Sequence, residues 1–209
     1  YWDRANGVAG ATSESNSSAT GNWGDSNWNS NADGSGSNGT WSNGNTAIFS
    51  AGTDATGSST ITANLNATLG GLTVEEGDIT IASGSGSLTF SDSPDFNVAD
   101  GSTLTINEAL NYGNNNYGLT KTGKGLLTIG DDNTVDGMST TEITQGKIDI
   151  SSGVTFTGGV GANGTLKSML GGDGIVDSAT FGNANGEIDF VSPGLGLSSS
   201  MTNNASRQQ

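Results

Sequence analysis

The stretch from residue 72 to residue 106 reads LTVEEGDITIASGSGSLTFSDSPDFNVADGSTLTI. It holds five apolar–polar–apolar triplets: Leu72-Thr73-Val74, Ile79-Thr80-Ile81, Leu88-Thr89-Phe90, Phe96-Asn97-Val98 and Leu104-Thr105-Ile106. In an extended chain successive side chains point to opposite faces, so each triplet sets its two apolar residues on one face. Threonine, frequent at the middle position, is β-branched and suits a solvated strand face. The triplets recur about every eight residues, separated by Gly, Asp, Asn or Ser. Strands so short do not build a sandwich core. They can line a coil whose turns stack ~4.8 Å apart, each burying its apolar residues against the next.

The same pattern continues on both sides. Ile61-Thr62-Ala63 precedes the stretch; Leu127-Thr128-Ile129, Ile148-Asp149-Ile150, Val154-Thr155-Phe156 and Ile188-Asp189-Phe190 follow it. At ~20–25 residues per coil the chain makes roughly seven to nine coils. Turns between strands need positive φ, which Gly and Asn adopt cheaply, and this gives the 35 glycines a structural cause. No stretch keeps helical apolar spacing. Pro94 and Pro193 are expected in turns, because proline removes a ladder donor. The expected fold is all-β: a single-stranded, right-handed parallel β-helix or β-solenoid with a Trp-rich N-terminal cap.

Three regions differ in composition. Residues 1–46 hold all four tryptophans, Trp2, Trp23, Trp28 and Trp41, among Gly, Asn, Ser and Thr. Residues 47–190 carry the triplets, and residues 191–209 fade into a polar tail. With 209 residues and 31% apolar content, the core is thin. The chain has no Cys and no His, which excludes disulfides, thiolate or imidazole metal sites, and catalysis by a Cys nucleophile or His base. Its 21 acidic and 6 basic residues give a net charge of −15. Residues 1–117 hold one cation, Arg4, against 12 acidic groups. Nucleic acid and anionic membranes are therefore repelled. No apolar run is long enough to span a bilayer. No signal-peptide pattern is present, and a start at Tyr1 in place of Met is expected of a processed N-terminus.

Gly118-Leu119-Thr120-Lys121-Thr122-Gly123-Lys124-Gly125-Leu126-Leu127-Thr128-Ile129-Gly130 resembles the autotransporter-associated β-strand repeat, G-L-T-K-x-G-x-G-x-L-T-L-x-G. The family's N-T-Y-x-G turn is matched by Asn133-Thr134-Val135-Asp136-Gly137, with Val135 in place of Tyr. Its closing strand is matched by Glu142-Ile143-Thr144-Gln145-Gly146-Lys147-Ile148, so the repeat covers 118–148. Trp41 to Phe49 is similar to the family's W-x-N-G-x-x-A-x-F leader, and Gly70-Gly71-Leu72-Thr73-Val74 to its next strand. Gly164-Thr165-Leu166 through Val176 and Ser192-Pro193-Gly194 resemble its closing elements. The resemblance implies an exported bacterial passenger-type β-solenoid located outside the cell or on its surface. No outer-membrane barrel pattern follows the repeat.

Trp23 and Trp28 offer flat rings on which sugars stack; a cap sealing the first coil is the alternative that the composition favours. Asp131, Asp132 and Asp136 ahead of Gly137 are candidate Ca²⁺ ligands. Their spacing does not match an EF-hand, and a polar turn is favoured. Glu75, Glu76 and Asp78 read as a solvated turn. Five N-x-S/T sequons occur, at Asn16, Asn38, Asn66, Asn163 and Asn204. No cofactor other than that Ca²⁺ is expected.

Three functional readings follow. In the first, the chain is a secreted structural subunit. It assembles head-to-tail or by strand addition into a filament or surface matrix, with itself as partner. The segments 1–8 and 195–209 are then the contact regions, with Tyr1, Trp2, Leu195, Leu197 and Met201 as self-association residues. In the second, it is a monomeric adhesin that binds surface glycans. In the third, it is a polysaccharide-active enzyme. A hydrolase needs two facing carboxylates, as Asp149 and Glu187 would have to be, and a lyase needs clustered cations. The six scattered cations supply no such cluster, so the chain reads as no enzyme.

Overall fold

Alternation of inward apolar and outward polar residues organises the described strands in the computed structural model. The structure describes residues 1–12, 18–112, 117–130, 134–135, 140–162, 168–173, 175–181, 190–191 and 196–203. Among them there is no helix. The strands run in chain order as β1 (Gly21–Asn22), β2 (Thr46–Phe49), β3 (Ser58–Thr62), β4 (Asn66–Val74), β5 (Asp78–Ala82) and β6 (Ser87–Val98). Next come β7 (Thr103–Ile106), β8 (Leu110–Asn111), β9 (Leu119–Thr122), β10 (Leu126–Ile129), β11 (Thr134–Val135) and β12 (Thr140–Ile143). Last are β13 (Gly146–Ile150), β14 (Thr155–Ala162), β15 (Ser168–Gly172), β16 (Ile175–Phe181), β17 (Phe190–Val191) and β18 (Gly196–Asn203).

Two parallel sheets result. One has eight strands in the order β1-β3-β5-β7-β10-β13-β15-β17. The other runs β2-β4-β6-β9-β12-β14-β16-β18, with β8 and β11 beside β6 and β14. The chain visits the sheets alternately, and this is a β-solenoid.

Register makes the core. Ile61 pairs with Ile81, Ile81 with Ile106, Ile106 with Ile129 and Ile129 with Ile150. Each of these isoleucines is fully buried. Beside them run Ile79, Leu104, Leu127, Ile148 and Leu170, also paired in succession and buried. The second sheet adds Ala47, Leu72 and Phe96 in one column and Phe49, Val74 and Val98 in another. Phe90 packs on Phe96 with ring centroids 5.5 Å apart, and stacks on Tyr112 at 4.9 Å. Each fully buried aliphatic side chain contributes about 1.5–3 kcal/mol.

Two expectations are corrected. Pro94 is not in a turn but inside β6, buried. The β4–β6 register steps from Leu69↔Phe90 to Gly71↔Asp95, so residues 91–94 have no partner in β4 and Pro94 falls where the ladder is already interrupted. Part of the expected polar tail is a strand: β18 lies in register on β16, with Val176 opposite Leu197 and Ala179 opposite Met201. Pro193 lies outside the described residues.

The expected cap is also built. Trp2 N–H donates to the Ile48 carbonyl and Ala51 N–H to the Trp2 carbonyl, so the first residues add onto β2. Trp2 then bridges Trp28, and Trp28 bridges Gly39, both antiparallel. Reversing the strand direction ends the parallel ladder.

An inward ladder position is sensitive to truncation, whereas its solvent-face neighbour is not. Ile106→Ala is expected to lower unfolding free energy by about 2–5 kcal/mol, and Thr105→Ala by less than ~1 kcal/mol, in urea denaturation.

Candidate functional site

Two places depart from the repeating pattern: the aromatic cap and an interior lysine. In the cap, Trp2 and Trp23 are fully buried and Trp28 nearly so. Trp28 lies 5.1 Å from Trp2, 5.0 Å from Trp23 and 4.6 Å from Trp41, centroid to centroid. Phe49 of β2 closes the cluster beneath, 6.0 Å from Trp23 and 5.8 Å from Trp28. Most pairs are edge-to-face or tilted, which suits the ring quadrupoles. Trp2 Nε1–H donates to the Ala19 carbonyl and Trp28 Nε1–H to the Trp23 carbonyl, whereas buried Trp23 Nε1–H has no partner.

Trp23 and Trp28, the candidate sugar platforms, are therefore core residues whose rings face other rings. The half-exposed member is Trp41. It is held edge-on to Trp23 at 5.3 Å, and its Nε1–H donates to Asn43 Oδ1 at 3.1 Å. With Tyr1, Trp28, Thr40, Asn45 and Ile48 it lines a cleft of about 340 Å³ at the closed end of the solenoid. The leader pattern gives Trp41 no binding role; its exposure depends on how Trp28 packs, which spacing does not show.

Tyr1 and Trp2, expected to pair with a neighbouring subunit, are engaged within their own chain: the Tyr1 backbone nitrogen donates to the Asn29 carbonyl, and Trp2 joins β2. Leu197 and Met201 lie on β18, the last strand of its sheet. Leu195 lies outside the described residues, as do Asp131, Asp132 and Asp136. Glu187 lies outside them too, so its pairing with Asp149 stays unplaced, while Asp149 forms an ion pair with Lys147 at 2.8 Å.

Glu75 and Glu76 are more than a solvated turn. Glu76 Oε1 accepts from Ala55 N–H at 2.9 Å and Ser50 Oγ–H at 3.2 Å, tying the segment after β2 to the next coil. Burial, and then the neighbouring Glu76, pushes the Glu75 carboxyl up. Of the sequons, Asn38 has its amide engaged inside the cap and Asn66 is exposed at the start of β4.

The interior lysine is Lys121 of β9. It occupies an inward position of the column Leu72–Phe96–Lys121–Ile143 and is fully buried. Its Nζ donates to the carbonyls of Thr122 at 2.5 Å, Gly123 at 2.8 Å and Gln145 at 3.4 Å. Gly123 is the corner where φ is +71° and where an added Cβ would strike the Val98 carbonyl, so glycine is required. The ammonium thus binds the corner carbonyls of two coils. Burial pushes Lys121 down to about 8, partly opposed by attraction to Asp95.

No family model matches the chain, and no curated protein or solved structure matches it.

The lysine predicts a pH dependence with a definite sign. The folded-state value of about 8 lies below the ordinary 10.5. Between the two, the unfolded chain holds a proton that the folded chain has released. Stability therefore rises with pH across that interval. Urea midpoints measured from pH 8 to pH 10.5 should increase for the wild type, and Lys121→Met should flatten that increase.

Proposed function

We propose that this chain is a non-enzymatic structural protein exported by a bacterium, whose solenoid is a building block of a filament or surface matrix. The observation that carries this reading is the asymmetry of the two ends. In the second sheet the N-terminal end is turned antiparallel through Trp2 and Trp28 beside the tryptophan cluster, while β18 is its last strand among the described residues. A terminal parallel strand carries outward N–H and C=O groups that pair readily with another chain. Seating that edge on a neighbour's cap repeats head-to-tail without closing, which gives a fibre. The likeness of 118–148 to the autotransporter-associated repeat supports export. The net charge of −15 favours solubility of the free subunit by mutual repulsion.

Electron microscopy of the purified chain tests this reading. Filaments with an axial repeat of one solenoid length are expected. The double substitution Leu197→Lys with Met201→Lys should disperse them while the β-type circular dichroism is retained, because charge on an edge strand blocks pairing. Monodisperse wild-type particles at high concentration would sink the filament reading.

A second reading has its own observation. The cleft beside Trp41 has a half-exposed indole, hydroxyls and amides, and no charged side chain among its lining residues. That surface suits a neutral glycan, as an adhesin would bind. Trp41→Ala should then abolish retention on a glycan array with little change in melting temperature. Trp23→Ala should instead cost about 3–5 kcal/mol of stability through the cavity it leaves. Equal glycan retention by wild type and Trp41→Ala would discard the adhesin reading.

A further inference from the structure

The polar side chains around the Trp41 cleft differ from those in the body of the cap. In the body, Asn29, Asp33, Ser35 and Asn38 are engaged with other side chains or with backbone. On the rim of the cleft, Ser30, Thr40, Ser42 and Asn45 are exposed, and among the described residues their side chains have no hydrogen-bond partner. Three hydroxyls and an amide therefore stand open to a ligand beside a half-exposed indole.

The indole is held in one orientation from two sides. Trp28 and Trp23 meet it edge-to-face at 4.6 Å and 5.3 Å, which fixes the apolar part of the ring. Its polar end is fixed by Asn43. Trp41 Nε1–H donates to Asn43 Oδ1 at 3.1 Å, and the same oxygen accepts from Thr68 N–H at 2.9 Å. An amide oxygen has two lone pairs, so the two donors saturate it. With its N–H engaged inside the chain, Trp41 offers a ligand only the flat ring.

Asn43 can anchor a ring because it stands where a strand is missing. β2 pairs only with Gly71–Val74, the second half of β4, so the first half has no strand on that side. The corner at 43–45 takes its place. Asn43 Oδ1 accepts from Thr68 N–H, Gly44 N–H donates to the Thr68 carbonyl at 2.8 Å, and Gly70 N–H donates to the Asn45 carbonyl at 2.9 Å. Gly44 has φ of +86°, a turn that glycine makes without strain. The Asn43 amide is thus fixed to the ladder of β4, and it passes that order on to the indole.

We propose that Asn43 is the positioning residue of a neutral-sugar site, holding the Trp41 ring as a preformed stacking face beside the rim hydroxyls. This role rests on the glycan reading of the cleft. The C–H face of a sugar packs on a flat ring while its hydroxyls exchange hydrogen bonds with the polar groups around it. A ring that is already immobile loses little rotamer freedom when the sugar arrives, so more of the contact energy appears as affinity. The volume of about 340 Å³ is near the lower end for ligand clefts, about 300–1,000 Å³, and suits a short sugar or the end of a chain. With 12 acidic groups against one cation in residues 1–117, an acidic sugar is repelled and a neutral one is not.

Affinity of the full chain for immobilised neutral oligomers of glucose, mannose and N-acetylglucosamine measures the site. Hydrogen exchange of the Trp41 Nε1–H, assigned by its loss in Trp41→Phe, measures the anchor. The wild type is expected to bind one of the three series, with that N–H exchanging more slowly than a free indole. Asn43→Ala should speed the exchange and weaken binding by about tenfold at an unchanged melting temperature, because the bond it removes lies at the surface. Asn43→Asp, whose carboxylate accepts from both donors, should recover most of that loss. Trp41→Phe keeps a ring but drops the donor, so adding Asn43→Ala to it should weaken binding no further. Should Asn43→Ala fail to fold, Trp41→Phe and the wild-type exchange rate decide: full affinity without the indole N–H, or exchange as fast as a free indole, overturns the positioning role. It is also overturned, with the glycan reading left standing, if Trp41→Ala no longer binds while folded Asn43→Ala binds like wild type, or if the two losses add in the double variant. A wild type that binds none of the oligomers overturns both.

Discussion

Everything in this protein depends on parallel stacking in register, where an inward side chain of one coil lands on an inward side chain of the next. The column Ile61, Ile81, Ile106, Ile129, Ile150 keeps that register although successive members are 20, 25, 23 and 21 residues apart. A one-residue slip within a strand would turn its apolar pair outward. Differences in coil length must therefore be absorbed at the corners and at the irregular step in the β4–β6 pairing, where Pro94 sits. The strands carry the register and the corners carry the variation, so glycine and short polar residues concentrate between the triplets.

The same constraint explains the lysine inside. A strand passing through the repeat must alternate, and Leu119 points inward, so Lys121 two residues on points inward as well. Its charge is tolerated because three carbonyls around the corner lie within reach of Nζ. The interaction replaces apolar packing at one level of the column by a tie between two levels. The T-K-x-G order then has a physical reading: the lysine fills the coil and the glycine makes the corner whose carbonyl it binds.

Much of this was legible beforehand. The triplets named the strands of both sheets because period-2 alternation survives in so few residues, and Trp2, Trp23 and Trp28 named the cap because nothing else near them could fill a core. Less legible was anything that depends on how distant segments meet. Trp23 and Trp28 could serve as a platform or as a core by composition, and only their packing around Phe49 makes them core. Residues 196–203 look like a polar tail since serine dominates, yet backbone pairing to β16 needs no apolar side chain. The cluster of oxygens that accept from the Asn29 amide was invisible for a similar reason. Half of it is backbone carbonyl, and its one carboxylate comes from the far side of the Trp-rich region.

A stack of parallel strands has an intrinsic difficulty at its ends, and the two ends here meet it differently. At the first coil Trp2 and Trp28 turn the ladder of the second sheet antiparallel and the indoles pack over Phe49, at the expense of a large cap that must itself be held together. Asp3 lies next to Trp2, the residue that makes this reversal, and by accepting from Asn29 Nδ2 at 2.8 Å it ties that segment to the loop after Trp28. Closure of one end gives the molecule a direction. Two identical parallel edges brought face to face would run antiparallel and stop at a dimer, whereas an edge that meets a cap can repeat without limit. The chemistry of the cap, more than that of the solenoid body, therefore decides whether such a molecule stays single or grows.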